Sequence, residues 1–207
     1  MTTIAPPVLR TEPVTRTPNR TTRARAAARR GAAALAGAMF LTVPAQLTLV
    51  NATTGSAVIA GATALGMAAL LSFVVVGSIW TLTSAYQPLV GGLAAAGLGI
   101  GSAVQLYAVL ALLPTGTSGV SGFVSTWAVA LMVFGLHLML LSATLLLRRA
   151  PGLLAAGVGI AGVAVTAAVL PPGWFPQTTD AVLALVAGQA LLLGWLAVLG
   201  FRSPRPS

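Results

Sequence analysis

The stretch FVSTWAVALMVFGLHLMLLSATLLL, residues 123–147, decides the fold. It contains no Lys, Arg, Asp or Glu, and Arg148 and Arg149 follow it directly. A helix of about 20 apolar residues crosses the hydrocarbon core of a bilayer, whereas a barrel strand needs about 10 residues that alternate in polarity. This stretch is too long for such a strand and does not alternate, so it predicts a transmembrane α-helix.

Five further apolar stretches have the same character. Together they predict an all-α, polytopic membrane helix bundle with six transmembrane helices, since lipid leaves no water to satisfy an open backbone. The composition agrees, because 57% of residues are hydrophobic and 6% are charged, against about 25% charged in a soluble domain. The predicted spans are about 31–50, 57–82, 89–113, 123–147, 152–170 and 181–201. Pro44 predicts a kink in the first span.

The segments outside the spans are short, apart from the N-terminal tail. Residues 1–30 are rich in Thr, Pro and Arg, which predicts a disordered cytoplasmic tail. Its last part, residues 23–30, can become helical as it approaches the membrane. Residues 171–180 (PPGWFPQTTD) predict a loop, because three prolines cannot continue a helix. Residues 202–207 form a short C-terminal tail, also expected in the cytoplasm.

Charge placement predicts the orientation. All eleven basic residues are arginines, and a cytoplasmic N-terminus puts every one on the cytoplasmic side, as the positive-inside bias requires. They are Arg10, Arg16, Arg20, Arg23, Arg25, Arg29, Arg30, Arg148, Arg149, Arg202 and Arg205. The bilayer is the expected partner, and the arginine-rich tail is expected to bind anionic lipid, at about 1 kcal/mol per basic residue. Aromatic side chains prefer interfaces, which places Trp80 and Tyr86 near one and Trp127 and Trp174 near the other.

An alternative concerns the first span. The sequence Val50-Asn51-Ala52 faintly resembles a small-residue cleavage site. Cleavage there would leave five spans with the same sidedness. The leader of thirty residues and the long apolar stretch both argue against an ordinary signal peptide.

Composition also excludes several functions. The net charge of +9 does not indicate nucleic acid as a partner, because no basic residue lies between Arg30 and Arg148 to form a folded basic face. The chain has no Cys, which excludes disulfides, thiolate metal ligands and cysteine nucleophiles. One His and two carboxylates, Glu12 and Asp180, cannot make a conventional metal site. We therefore expect no metal and no cofactor.

His137, near the middle of the fourth span, is the main candidate for chemistry. An ionisable group at that depth is costly, so a proton relay, metal ligation or ligand contact is one interpretation. The alternative is a neutral imidazole that bonds Gln105, Gln189 or a backbone carbonyl. Gln46, Gln105 and Gln189 are the other large polar groups within spans, and such groups more often fix packing than bind cargo. The sharpest hypothesis for a pocket is an intramembrane polar site formed by His137, Gln105 and Gln189.

Glycine patterns point to packing. Residues 157–162 (GVGIAG) match the spacing GxGxxG, but no strand precedes them and they lie inside an apolar helix, so a dinucleotide site is rejected. Small residues instead let membrane helices approach closely. The predicted packing positions are Gly97, Gly101, Gly157 and Gly162. They would act within one chain or at the seam of a homo-oligomer.

The C-terminal half resembles a known family. The run GLHLMLLSATLLLRRAPGLLAAGVGIAG (135–162) and the closing LLLGWLAVLGFR (191–202) resemble the bacterial membrane family catalogued as domain of unknown function 4386. The shared features are a Gly-Leu-His-Leu helix, a basic turn with a Pro, a Gly-rich helix and a last helix with Trp195, Gly200 and Arg202. The resemblance implies a six-helix protein of the bacterial inner membrane with both ends in the cytoplasm. It implies no activity, but His137 matches a recurrent family position.

Three functional classes remain open. The first is a non-enzymatic protein that acts through the membrane or through helix–helix interactions, and it is favoured. The second is a small transporter or channel-like protein with a polar midplane site around His137, since broken helices and midplane polar groups occur in transporters. The third is a membrane-embedded enzyme, which lacks a carboxylate that could orient His137 as a triad requires. No catalytic residue is predicted.

Overall fold

Six long α-helices make up the chain. The computed structural model describes residues 20–84, 86–170 and 178–201, and within them there are helices and turns but no strand. The helices are α1 Arg20–Val50, α2 Gly55–Thr83, α3 Pro88–Leu112, α4 Val120–Leu147, α5 Gly152–Val169 and α6 Thr178–Phe201, with a short 3₁₀ turn at Gly116–Gly119. All six are long and apolar enough to cross a membrane. The prediction of an all-α, six-helix multi-pass membrane protein is confirmed.

The first helix begins earlier than the first predicted span. Residues 20–30, which were predicted to belong to the tail, form the start of α1, and the expectation that residues 23–30 can become helical agrees with this. Ala and Arg are strong helix formers, and Ala27 and Ala28 are buried in the bundle at 1% and 0% exposure. Burial of these alanines therefore stabilises the helix in a segment that is rich in arginine. The rest of the predicted tail (1–19), the loop at 171–177 and the C-terminal tail (202–207) lie outside the described residues.

The helices form a closed ring in chain order. Each helix packs on its neighbours in sequence, α1 packs on α6 to close the ring, and α4 also touches α6. Adjacent helices are antiparallel because the connections between them are short. One contiguous apolar core receives side chains from every helix, for example Leu35, Leu65, Leu98, Leu138, Val158 and Leu192. The described part of the bundle is therefore filled by side chains along its centre.

Glycines set how closely the helices approach. A Cβ atom at Gly162 on α5 would lie 2.7 Å from the carbonyl oxygen of Gly135 and 2.9 Å from the backbone nitrogen of Met139, both on α4. The other three glycines predicted for packing face neighbouring helices of the same chain: Gly97 faces His137, Gly101 faces Phe134 and Gly157 faces Leu191. The two Gly-rich helices do not pack on each other, because α3 and α5 lie on either side of α4.

Trp127 packs inside the bundle. It is 3% exposed, with its ring stacked on Phe123 at 6.1 Å and edge-on to Phe134 at 6.4 Å between centroids. The two phenylalanines lie about one and two turns away along α4 and pack with the Trp127 ring. The prediction that Trp127 lies near a membrane interface concerns its depth, which this packing does not test, so it stays a prediction. Trp174 lies outside the described residues.

All described arginines lie at one end of the ring, which we name the arginine end. There α1, α3 and α5 begin and α2, α4 and α6 end. The arginines are Arg20, Arg23, Arg25, Arg29, Arg30, Arg148 and Arg149. Asp180, the one carboxylate within the described ranges, lies in the first turn of α6 at the opposite end. The two ends of the bundle therefore differ sharply in charge.

Candidate functional site

His137 joins α4 to α3 through a hydrogen bond. Its side chain is 2% exposed, and Nδ1 lies 2.6 Å from the carbonyl oxygen of Ala94. A carbonyl oxygen only accepts, so Nδ1 carries the proton and donates it. Gly97 leaves room for the approach, because a Cβ there would lie 3.3 Å from the Cβ of His137. A small residue on α3 and a donor on α4 thus form one interhelical contact.

Two further buried side chains make the same kind of bond. Gln105 on α3 is 3% exposed and donates from Nε2 to the carbonyl oxygen of Leu65 on α2, at 2.8 Å. Ser142 on α4 donates from Oγ to the carbonyl oxygen of Ala155 on α5, at 2.7 Å. Together with the bond from His137, these contacts tie α2 to α3, α3 to α4 and α4 to α5. These three interhelical hydrogen bonds therefore link four consecutive helices, α2 to α5.

The predicted polar site is not assembled as one cluster. His137 contacts α3 around Ala94 and Gly97, and Gln105 lies eight residues beyond Gly97, which is about 12 Å along a helix axis. Gln189 is nearer in depth, since the preceding Gly188 faces Leu138. The structure therefore brings Gln189 to the level of His137 and leaves Gln105 away from it.

The remaining amides are less well satisfied. Gln189 is half-buried, and its amide has no hydrogen-bond partner among residues 20–84, 86–170 and 178–201. The Nε2 atom of Gln46 on α1 is buried and likewise lacks a partner in this part of the chain. These two amides differ from Gln105, whose donor is bound to α2.

The midspan groups give little basis for acid–base chemistry. The partners of His137 and Ser142 are backbone carbonyl oxygens, which cannot take up a proton at neutral pH. The carboxylate closest to His137 in sequence, that of Asp180, lies in the first turn of α6, at the far end of the bundle from the arginines. Within the described ranges, no group of three or more His, Cys, Asp or Glu side chains could hold a metal ion.

Arg148 makes the most extensive contacts at the arginine end. It caps α4, and its Nη2 donates to the carbonyl oxygen of Leu82 in the last turn of α2, where helix carbonyls lack intrahelical partners. Its guanidinium carbon lies 4.6 Å from the centroid of the Tyr86 ring, within cation–π range. Burial lowers the pKa of the guanidinium below its usual value, and Tyr86 offsets part of that shift. Arg148 thus joins three elements through one charged group, since arginine keeps its charge in proteins.

Arg149 occupies a backbone position that favours glycine. Its φ is 54°, in the left-handed region. Its amide bonds the Leu146 carbonyl at 2.9 Å, and the Ala150 amide bonds the Leu145 carbonyl at 3.0 Å, which is the Schellman pattern that closes many helices. A residue with a Cβ costs about 1 kcal/mol there relative to glycine. The side chain of Arg149 is exposed, so its packing does not offset this cost.

Arg29 closes the ring at the same end. Its Nε donates to the carbonyl oxygen of Gly200 at 2.8 Å, and its guanidinium carbon lies 5.3 Å from the centroid of the Phe201 ring. A cation beside the C-terminus of α6 interacts favourably with the helix dipole. A Cβ at Gly200 would lie 3.2 Å from the backbone nitrogen of Arg29, so this contact also depends on a small residue.

Two grooves open on either side of Arg148. The α6 groove has a volume of about 1200 Å³, and its lining includes Gln87, Arg148, Arg149, Leu154, Leu191 and Trp195. The α1 groove has a volume of about 660 Å³, and its lining includes Arg20, Arg23, Thr81, Ser84, Tyr86 and Arg148. Arg148, Tyr86 and Leu199 line both. The grooves thus place arginine side chains beside apolar walls.

Sequence reasoning found these arginines but not their contacts. It used Arg148 and Arg149 to orient the chain and Tyr86 as an interfacial ring, yet it did not predict that Arg148 stacks on Tyr86 and bonds α2. The predicted topology did contain one signal for this contact. A closed antiparallel bundle brings the turn after α2 beside the turn after α4. The left-handed φ of Arg149 had no signal, since glycine and not arginine usually marks that position.

Comparison with known proteins finds no match: no family model, no curated protein and no solved structure is similar to this chain. The resemblance of residues 135–162 and 191–202 to a bacterial membrane family therefore stays a prediction.

Proposed function

We propose that this chain is a protein of the bacterial cytoplasmic membrane that catalyses no covalent reaction and acts through its contacts with lipid and with other helices. One observation carries the proposal. The buried donors of His137, Gln105 and Ser142 are each used in a bond to the backbone of the next helix. Donors that hold helices together in this way serve the fold, and these bonded N–H and O–H groups are not available to a substrate.

The charge distribution supports the proposed orientation, with both termini in the cytoplasm. All seven described arginines lie at one end of the bundle, and basic residues are retained on the cytoplasmic side of bacterial membrane proteins. The resemblance to a bacterial family supports the same membrane and the same sidedness. The arginine end would then face the anionic surface of the inner leaflet.

A small transporter or channel-like protein is the second candidate. It is favoured by one observation, the amide of Gln189, which lies near the depth of His137 and has no partner within the described residues. A polar group without a partner at this depth is a functional hypothesis in a membrane protein. A membrane-embedded enzyme is the weakest candidate, because no described carboxylate lies near His137 to assist it.

Substitution of His137 separates the first two candidates. If Nδ1–H serves packing, His137→Asn should keep most of the stability, because the Asn amide places a donor close to the position of Nδ1. His137→Ala removes the donor and leaves a void, and we expect it to lower the free energy of unfolding by about 2 kcal/mol. The measurement is unfolding of the purified protein in a neutral detergent, with both variants compared with the unsubstituted chain.

A flux measurement on the same two variants distinguishes a transport role of His137 from a packing role. Asn cannot titrate, so a proton relay or a proton-coupled transporter would lose flux in proteoliposomes even when Asn preserves stability. A normal melting profile for His137→Asn together with the loss of a measurable flux would overturn the packing proposal and promote the transporter.

A further inference from the structure

The α6 groove is polar at one end and apolar along its length. Its rim is polar, with Gln87, Arg148 and Arg149 at the turns of the arginine end, while its wall is apolar. From Leu199 to Leu191 that wall descends along α6 for about 12 Å at the helical rise. The groove is open to the side, since Leu191 is 39% and Val198 is 51% exposed. A ligand would therefore meet charge at one end and the lipid phase along its length.

The charge at the rim is not neutralised by the described chain. Asp180 lies at the opposite end of the bundle, and residues 20–84, 86–170 and 178–201 contain no other carboxylate. A guanidinium has five N–H donors, and Arg148 uses one of them on the Leu82 carbonyl. Its position over the Tyr86 ring holds the group beside the groove. Planar, pre-oriented guanidinium groups suit phosphate, which they bind through paired hydrogen bonds.

The backbone at Arg149 adds an independent observation. A left-handed φ of 54° disfavours any residue with a Cβ, and the exposed side chain gains nothing from packing. Strain of this kind, where the surrounding fold imposes it, is a reason to ask what the side chain does. Next to Arg148 and above an apolar groove, a second guanidinium would contact the same anionic group.

We propose that the α6 groove binds one anionic diacyl phospholipid, with its phosphate between Arg148 and Arg149 and an acyl chain along the α5–α6 wall. The choice of lipid over a soluble phosphate follows from the wall, which would remain uncovered around a small ion. Basic pockets between membrane helices on the cytoplasmic side recognise lipid head groups in this manner. Assignment of the lipid to the inner leaflet rests on the proposed function; the groove itself does not.

The test measures lipid binding to the full chain in a neutral detergent by native mass spectrometry. The probes are dioleoyl phosphatidylglycerol, dioleoyl phosphatidylcholine and glycerol phosphate. We expect phosphatidylglycerol to bind at least about 10-fold more tightly than phosphatidylcholine, because each tenfold step corresponds to one charge-assisted contact. Glycerol phosphate should not compete at the same concentration.

Two variants locate the site. Arg149→Gly removes one guanidinium and also relieves the backbone, so we expect about 10-fold weaker binding of phosphatidylglycerol together with an unchanged or higher melting temperature. Arg30→Gln is the matched control, since Arg30 is an exposed arginine of the same end that bonds only its own helix at Ala26 and lines neither groove. It removes the same charge and should change affinity less than about 2-fold.

Each other outcome overturns the proposal. Equal binding of the two lipids would mean that the groove binds acyl chains but does not distinguish an anionic head group from a zwitterionic one. Competition by glycerol phosphate would point to a soluble ligand, and equal losses in Arg149→Gly and Arg30→Gln would point to a diffuse basic surface. None of these results depends on His137 or on sidedness, so failure of the lipid site and failure of the proposed function can be told apart.

Discussion

The middle of the bundle and its arginine end use polar side chains in opposite ways. In the middle, His137 and Gln105 each place a donor on a carbonyl of the neighbouring helix. At the arginine end, Arg148 bonds one carbonyl and still borders two open grooves. The first arrangement leaves few donors unused, whereas the second leaves several.

This difference distinguishes polar side chains that stabilise the packing of a membrane protein from polar side chains that can bind a ligand. A buried donor with one acceptor on an adjacent helix stabilises packing by a modest amount, on average about 0.6 kcal/mol. A charged group with more donors than acceptors, at the depth of the head groups, can bind a further anion. The place to look for function is therefore the end of this bundle and not its centre, although an ionisable midspan residue attracts attention first.

The largest expected effect tests how tightly the middle is packed. Gly162→Ala would place a methyl group 2.7 Å from the carbonyl oxygen of Gly135 and push α5 away from α4. We expect a loss of about 2–3 kcal/mol in the free energy of unfolding. Gly77→Ala is the matched control, because nothing lies within 4 Å of a Cβ there, and it should leave stability unchanged or raise it by about 0.5 kcal/mol. Similar losses at both positions would show that the α4–α5 contact is not specifically close.

A smaller effect on the free energy of unfolding is expected when two glutamines within spans are replaced. Gln105→Leu keeps the approximate volume but removes the bond to the Leu65 carbonyl, and we expect a loss of about 1 kcal/mol. Gln189→Leu removes an amide that has no described partner, so its unfolding free energy should not fall. The check is thermal or denaturant unfolding of both variants in one detergent. A larger loss of unfolding free energy in Gln189→Leu than in Gln105→Leu would mean that the Gln189 amide bonds a partner and stabilises the bundle.

Much of the fold could be predicted because only a few kinds of backbone structure can cross a bilayer. Five of the six helices begin and end within three residues of the predicted spans, since hydrophobic length and breakers such as Pro88 and Pro151 set their limits. Only α1 departs, with its start at Arg20. Sequence periodicity cannot show that Ala27 and Ala28 find a buried surface, because that surface belongs to other helices.

The candidate site was less predictable for the same reason. His137 could be singled out by its depth, and a backbone carbonyl was one of the partners considered, but Ala94 as the acceptor depends on the register of α3 against α4. The pairing of Arg148 with Tyr86 depends on two turns that are 62 residues apart in sequence (148 − 86) and adjacent in space. A conformation such as that of Arg149 arises from helix capping, and composition does not encode it.

Sidedness decides which leaflet the arginine end meets, and the absence of Cys from the chain makes it directly testable. Ser84 lies in the turn between α2 and α3 at the arginine end, and Ser118 lies in the 3₁₀ turn before α4 at the opposite end. Ser84→Cys and Ser118→Cys are conservative changes that each create a single thiol. Labelling of intact cells with a membrane-impermeant maleimide measures which of them faces outward.

We predict that Ser118→Cys is labelled in intact cells and that Ser84→Cys is labelled only after permeabilisation. The arginine end then faces the cytoplasm, as the positive-inside bias requires. Labelling of Ser84→Cys from outside intact cells, with Ser118→Cys protected until permeabilisation, would mean that the arginine end faces outward and would overturn the proposed orientation.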